Sequence, residues 1–445
     1  MIELGRRLAT TITMKVIKHL SIIAVGLALL PSWAIALPSD QLFLGPGSCS
    51  SSNCHGDIKP RNSSNVLQNE YTTWSKHDRH SKAYLTLLNK DSKKIASNLG
   101  ITDAAKAPLC LSCHATYVEE ASQKGERFRL EDGVACESCH GAANGWLKTH
   151  AETGSTHADN VKNGLTDLVP LDARASLCLS CHYGNDEKTV NHNLYGAGHP
   201  RLSFELDTFG VLQPKHWVVD SDYEKRKAPY IPVVAWMTGQ ARQADETLRA
   251  LASEKRSKNG TFPELSLFDC FSCHHNLAEE QWKHRSYGGN PGQLKLNLPS
   301  LVILKEAIAP LDQASSDQMG ELLSSLHKEY KVTGAKDSIA SLTTLVEDKV
   351  IPLIARMPHD LGTTSKILSR IASFASTYQW PTFEIAEQLG MGIQATLATS
   401  PQLAKVYAVE LKELFATLKS SKSFKAERFT AAAKKLSASV VRAPR

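Results

Sequence analysis

Residues 110–114 read CLSCH, two cysteines separated by two residues and followed at once by a histidine. The same pattern returns as CESCH at 136–140, CLSCH at 178–182 and CFSCH at 270–274. A fifth stretch, CSSSNCH at 49–55, has four residues between its cysteines and also ends in Cys-His. These motifs use all ten cysteines of the 445-residue chain. One kind of chemistry therefore has to account for every cysteine.

Three kinds of site use paired cysteines. Disulfide scaffolds are usually short chains, and they give no reason for a histidine after each second cysteine. Zinc sites also use paired cysteines, but they do not require an adjacent histidine on each pair. Cys-x-x-Cys-His is the attachment signal for c-type haem, because two thiols bond one edge of the porphyrin and place the next side chain under the iron. The sequence therefore predicts five haem c groups.

The predicted site has two sets of residues. The cysteines predicted to bond haem covalently are Cys49, Cys54, Cys110, Cys113, Cys136, Cys139, Cys178, Cys181, Cys270 and Cys273. The predicted proximal iron ligands are His55, His114, His140, His182 and His274. In the wide first motif the two extra residues can loop out without moving the final Cys-His. The alternative there is a Cys49–Cys54 disulfide beside a surface histidine.

The second axial ligand of each iron is predicted from composition. After residue 36, the haem-bearing stretch contains a single methionine, Met237, but many histidines. This content favours irons held by two histidines, which are low-spin, low-potential and suited to electron transfer. The histidines available as second ligands are His77, His80, His150, His157, His192, His199, His216, His275 and His284.

Three segments carry a family resemblance: GVACESCHGAANGWLKTH (133–150), WSKHDRHSKAY (74–84) upstream and LCLSCH (177–182) downstream. Together they resemble the cytochrome c-554 family, whose tetrahaem member accepts electrons from hydroxylamine oxidoreductase. The likeness covers roughly residues 45–185. Segments near His199 and His274 resemble larger multihaem relatives, which suggests a pentahaem member of this type.

The resemblance implies that His80 and His150 are distal ligands. The stretch LVPLDARASLC before the motif at 178–182 lacks the histidine that the smaller family member carries there. His192 and His199 are the proposed replacements, and His199 lies between Gly198 and Pro200, where the backbone can approach a porphyrin closely. His275 completes the predicted distal set. The family also includes a haem without a distal ligand, so the resemblance allows one open iron.

The N-terminus predicts export. Residues 1–36 combine a basic start, an apolar run too short to span a membrane and the small-x-small sequence Ala34-Ile35-Ala36, which is typical of a cleaved signal peptide. We expect a periplasmic or extracellular protein without a transmembrane span after cleavage. The net charge of +6 includes no long run of one sign, which argues against nucleic acid as a partner.

The remaining pattern predicts the organisation of the chain. A linker at 37–48 leads into a multihaem domain at 49–287, with short helices, long loops and a helix at about 233–253. Apolar residues at helical spacing then predict an all-α bundle at 293–445, so the expected fold is mainly α. The predicted function is electron relay between redox partners, such as other cytochromes or a membrane quinol-oxidising complex. The alternative is an oxidoreductase with one open haem that acts on a small nitrogen or sulfur compound. No catalytic residue is assigned, and whether the protein is an enzyme stays open.

Overall fold

The described residues fold mainly into helices, as the sequence predicts. The computed structural model describes residues 41–61, 66–259, 262–274, 294–330, 335–379 and 381–442. It is 63% helix and 2% strand, which confirms the mainly α fold class. The predicted signal peptide and His275 lie outside the described residues.

The first half of the described chain consists of short helices joined by loops. These helices are α1 Glu70–His77, α2 Ala83–Leu87, α3 Lys90–Asn98, α4 Pro108–His114, α5 Cys136–His140, α6 His157–Lys162, α7 Leu171–His182, α8 His192–Gly196, α9 Leu206–Leu212 and α10 Ser221–Arg226. None of these ten helices exceeds the 12 residues of α7. Their side chains form only two small apolar clusters, one beside α2–α4 and one beside α7 and α9.

A long helix, α11 Pro232–Ala252, separates this half from the rest and confirms the helix predicted there. It is followed by α12 Glu254–Ser257 and by a two-stranded antiparallel sheet, β1 Lys258–Asn259 and β2 Phe262–Pro263, in which Lys258 pairs with Pro263. The C-terminal helices are α13 Pro299–Ile308, α14 Gln313–Glu329, α15 Lys336–Leu345, α16 Ile351–Ala355, α17 Leu361–Thr377, α18 Phe383–Ala398, α19 Pro401–Val406, α20 Ala408–Ala416 and α21 Ala426–Arg442. A π-helical turn at Val346–Val350 joins α15 to α16.

The largest hydrophobic core lies between α11 and the C-terminal helices. Trp236 and Met237 of α11 are fully buried in the same cluster as the apolar faces of α13–α18 and α21. Helix α18 approaches α11 closely at Gly392, where an added Cβ would lie 2.3 Å from the Trp236 ring. Only a residue without a side chain fits there, so this glycine sets the spacing of the two helices.

The position of α11 connects the two halves that the sequence predicts as separate domains. It packs on α7 and α9 as well as on the C-terminal helices. Residues 41–445 accordingly form one compact unit. The predicted boundary between 287 and 293 lies outside the described residues and stays a prediction.

Candidate haem-binding site

The Cys-His motifs are numbered 1 to 5 here in chain order: residues 49–55, 110–114, 136–140, 178–182 and 270–274. Motifs 2, 3 and 4 each form the last turn of a helix, since α4, α5 and α7 all end at the motif histidine. Cysteines three residues apart lie on the same face of a helix. Motif 5 begins with a 3-10 turn at Cys270–Ser272 instead.

Each motif histidine faces a second histidine across a similar gap. The ring centres are separated by 6.2 Å for His55 and His150, 6.4 Å for His114 and His199, 6.4 Å for His140 and His216, 6.1 Å for His182 and His80, and 6.3 Å for His274 and His192. An imidazole nitrogen binds a transition metal at about 2.0 Å and its ring centre lies about 1 Å further away, so a metal between two coaxial rings separates their centres by roughly 6 Å. The five gaps therefore fit an iron atom.

The gaps fit haem better than zinc. Each gap offers two imidazoles, and a porphyrin would supply four further nitrogens, whereas structural zinc needs four protein ligands. Among the described residues, no group of three or more His, Cys, Asp or Glu side chains is placed to hold a metal ion. All ten cysteines are free thiols, including Cys49 and Cys54. These thiols are available for thioether bonds.

The structure distinguishes among the nine histidines considered as second ligands, because only some of them face a motif histidine. Four of the predicted set, His80, His150, His192 and His199, each face a motif histidine. His275 of that set and His284 lie outside the described residues. His77 is exposed at the end of α1, and His157 pairs with Asp167 at 3.0 Å.

The predicted distal set left out His216, although this histidine was among the candidates. This residue faces His140 and is separated from it by 76 residues of sequence. Its ring also packs edge-on against Trp217, with 4.9 Å between ring centres. The signal that could have found it is its position: it is the candidate in the stretch between Pro200 and motif 5 that the other assignments left unused.

The wide motif 1 brings its histidine into place through a folded loop. The His55 amide donates to the Cys49 carbonyl (3.2 Å), and the Cys54 amide donates to the Ser51 carbonyl (2.9 Å). A Cβ on Gly56 would lie 1.8 Å from the Ser50 carbonyl oxygen, so the loop closes only because residue 56 is glycine. The extra residues form a turn, and His55 faces His150 as the other motif histidines face their partners.

Burial sets the protonation of four of these ten histidines. It lowers the pKa of His140 to about 4 and also lowers the pKa of His114, His182 and His216. These rings are therefore neutral near pH 7, which is the form that binds a metal. His55 and His80 differ, because hydrogen bonds to Glu70 and Asp78 raise their pKa.

Thiols of different motifs lie next to one another. Cys136 lowers the pKa of the Cys49 thiol and Cys49 raises that of Cys136, so the thiols of motifs 1 and 3 lie close together. Cys113 and Cys181 affect each other's pKa in the same way between motifs 2 and 4. Cys139 of motif 3 interacts electrostatically with both cysteines of motif 4. Groups attached at these motifs would therefore be neighbours.

A buried carboxylate that the sequence did not single out anchors motif 3. Glu137, the second residue of CESCH, is 4% exposed. Its two oxygens accept hydrogen bonds from the backbone amides of Leu44 (2.8 Å), Gly45 (2.7 Å) and Ala143 (2.8 Å). The side chain thereby holds the segment before motif 1 against motif 3. Burial raises the pKa of this carboxyl group.

The last predicted motif is tied to the C-terminal helices. Asp269, directly before Cys270, lies 3.7 Å from the buried ammonium of Lys295. Arg201, two residues after His199, forms ion pairs with Glu384 (3.4 Å) and Glu387 (2.8 Å) of α18. The first contact holds motif 5 against the residues that precede α13. The second holds the segment after His199, the partner of motif 2, against α18.

Comparison with known proteins supports a c-type cytochrome. Residues 49–141, which contain motifs 1 to 3, match the family model described as cytochrome c554 and c-prime. No curated protein matches the chain, and no solved structure matches it. Residues 49–141 are therefore similar to cytochrome c554, and together with the facing histidines this similarity supports a c-type cytochrome that binds haem c and takes part in electron transfer. None of the helices in the described ranges is long and apolar enough to cross a membrane.

Proposed function

We propose that the protein is an exported pentahaem cytochrome c that relays electrons between redox partners. The observation that carries this proposal is that every motif histidine faces a second histidine. An iron with two imidazole ligands has no open position for a substrate, is low-spin and has a low potential. Such sites pass electrons rather than transform a bound molecule. Haem c supplies the one-electron couple, and this chain supplies attachment, ligands and insulation.

The cysteine contacts support a particular order along the relay. The mutual effects on thiol pKa place motif 1 beside motif 3, motif 3 beside motif 4, and motif 4 beside motif 2. Motif 5 follows motif 2, because its partner His192 begins the short helix α8 and the motif 2 partner His199 comes three residues after that helix ends. The proposed path is therefore 1–3–4–2–5, with motifs 1 and 5 at the two ends.

The proposed partners follow from the position of the relay in the cell. The basic and apolar start of the chain predicts export to the periplasm or beyond. Other cytochromes or a membrane quinol-oxidising complex are the redox partners expected there. The resemblance to a family that serves hydroxylamine oxidoreductase makes a multihaem dehydrogenase of small nitrogen compounds the first donor to try.

Electron paramagnetic resonance of the oxidised mature protein, quantified against haem content, tests the proposal. We expect five haems by mass and only low-spin ferric signals. A high-spin signal that integrates to one haem in five would contradict the relay and favour the oxidoreductase, to be assayed with hydroxylamine, nitrite and nitric oxide. A mass with four haems, and two hydrogens missing from motif 1, would instead show a Cys49–Cys54 disulfide.

A further inference from the structure

Two carboxylates bond directly to histidines of the facing pairs. Glu70 Oε2 lies 2.8 Å from Nδ1 of His55, and Asp78 Oδ1 lies 2.9 Å from Nδ1 of His80. In each case the bonded nitrogen leaves Nε2 of the same ring for the iron. We propose that Glu70 and Asp78 are positioning residues that make the irons of motifs 1 and 4 harder to reduce than the other irons. The inference rests on the proposed function, since it requires haem at these motifs.

The Glu70 carboxylate is held in place by the start of its own helix. Its other oxygen, Oε1, accepts hydrogen bonds from the backbone amides of Leu67 (2.9 Å) and Gln68 (3.1 Å). Gln68 has a φ of 59°, a conformation that costs energy in a residue with a side chain. That backbone turn aims an amide at the carboxylate. Glu70 is also the first residue of α1, where the helix dipole favours a negative charge.

The Asp78 carboxylate is held more tightly still. Its side chain is 5% exposed, and Oδ1 accepts from both the backbone amide and the ring of His80, each at 2.9 Å. The second oxygen accepts from the Gln213 side chain at 3.3 Å. This aspartate therefore fixes the backbone and the ring of His80 at the same time. Fixed partners of this kind select one tautomer and one ring orientation of a ligand.

Other histidines of the facing pairs, among them His150 with the Leu147 carbonyl, bond an uncharged backbone oxygen instead. His114 and His199 bond the backbone carbonyls of Ala83 (3.1 Å) and Pro200 (2.8 Å). Because these two rings face each other, motif 2 has a neutral acceptor on both sides of its gap. Within the described part of the chain, Glu70 and Asp78 are the only carboxylates bonded to a ring of the five facing pairs. The iron of motif 2 is therefore the reference against which the potentials of the motif 1 and motif 4 irons are compared.

A charged acceptor changes the donor strength of the ligand. A carboxylate that accepts the Nδ1 proton leaves more electron density on Nε2 than a carbonyl does, which makes the imidazole a stronger base toward metal. A stronger donor stabilises ferric iron more than ferrous iron. The affected couple is Fe(III) plus one electron to Fe(II), with the electron supplied by an electrode and the Nδ1 proton retained. The two carboxylate-bonded sites should therefore take up their electrons at lower potential.

A spectroelectrochemical titration of the mature holoprotein tests the inference in Glu70→Gln and Asp78→Asn. Both changes keep an oxygen acceptor and remove the charge. We expect one of the five redox components to move to higher potential in each variant, a different one in each, while the other four stay in place. Asp167→Asn is the matched control, because Asp167 bonds His157, which faces no motif histidine. This control should move no component.

The near-infrared magnetic circular dichroism of the unmodified protein provides a second test that needs no variant. The energy of the near-infrared charge-transfer band depends on how strongly the axial ligands donate to the iron. Two of the five low-spin haems should therefore have a band energy that differs from that of the other three and matches a stronger nitrogen donor. Five equivalent haems, or variants that keep five low-spin haems without a shift, would overturn the inference and leave the proposed relay intact. Fewer than five haems or a high-spin haem in the unmodified protein would overturn the relay itself.

Discussion

The imidazole of His216 lies 6.4 Å from that of His140, ring centre to ring centre, and their planes cross at 79°. Segments separated by 76 residues of sequence meet at this pair. The His140 ring is buried deeply enough to lower its pKa to about 4. On the proposed function, His216 is the group that, among the residues the structure describes, closes the second axial position of the motif 3 iron.

Replacement of His216 should open that iron. We expect His216→Ala to convert one of five low-spin haems to high spin, with covalent attachment unchanged, because Cys136 and Cys139 remain. Electron paramagnetic resonance and the optical spectrum measure this conversion. The control is His77→Ala, since His77 is an exposed residue at the end of α1. An unchanged low-spin spectrum in His216→Ala would show that another group binds this iron.

The folded loop of motif 1 gives a second prediction. In Gly56→Ala the new Cβ would meet the Ser50 carbonyl at 1.8 Å, so the turn has to open and His55 has to move. We expect a loss of about 1 to 3 kcal/mol in the free energy of unfolding and incomplete haem attachment at this motif, measured by denaturation and by mass. Gly320→Ala is the control. Its Cβ meets only the Lys305 side chain at 3.5 Å within α14, so it should stabilise by about 0.5 to 1 kcal/mol.

Removal of the Glu137 carboxylate should loosen the segment before motif 1. Glu137→Ala leaves three backbone amides without their acceptor, and an unsatisfied buried donor costs about 1 to 3 kcal/mol. We expect a loss on the order of 3 kcal/mol in the free energy of unfolding in urea, and faster proteolysis near residue 44. Glu126→Ala, which removes an exposed carboxylate from the same region, should change stability by less than about 0.5 kcal/mol. Equal stability of the two variants would contradict the anchoring role.

A buried glutamate should make stability depend on pH. Glu205 is 1% exposed, and burial raises its pKa from 4.5 to about 7. Because the folded pKa lies above the unfolded one, the folded state binds the proton more tightly. Its contribution to stability is fully present below about pH 4.5 and is lost as pH rises through about 7.

Glu205→Gln isolates this contribution from that of its neighbour Asp207, whose pKa burial also raises. From pH 4.5 to 7.5 the unmodified protein should lose on the order of 2 to 3 kcal/mol relative to the variant. Urea denaturation at a series of pH values measures the difference. Parallel stability curves for the two proteins would show that Glu205 does not titrate in this range.

Sequence patterns predict the parts of the site whose residues are close together in sequence, and they predict the remote second ligands less well. The cysteines and histidine of each motif lie within seven residues of sequence, so spacing alone predicts them together. The second ligands are remote in sequence. His80 and His150 were proposed through a family resemblance, while nothing in the residues around His216 specifies which iron it faces. That choice depends on how α9 and α11 pack, which no short pattern encodes.

The fold was predictable at the level of class and less so at the level of packing. Helical periodicity correctly predicts helix α11. Because α11 lies between motifs 4 and 5 in sequence, the sequence places it in the predicted haem domain, whereas most of its core contacts are with the C-terminal helices. The structure buries Trp236 of this helix against Gly392, a contact across 156 residues. A helix that is buried on nearly all sides, as α11 is, can pack against two layers at once. Periodicity reports that such a helix is buried and does not report its partners.

Most of the hydrophobic core lies in the C-terminal half of the protein, and this has a consequence for how the protein matures. Before haem attachment, the short helices between residues 70 and 226 have little apolar surface to bury against one another, and a polypeptide with so small a core gains too little to offset the entropy of ordering. The helices from α11 onward carry a full core of their own side chains. We therefore expect the C-terminal half to collapse first during maturation. The N-terminal half would stay open to the attachment machinery and become ordered one haem at a time, so that cofactor supply sets the rate of folding.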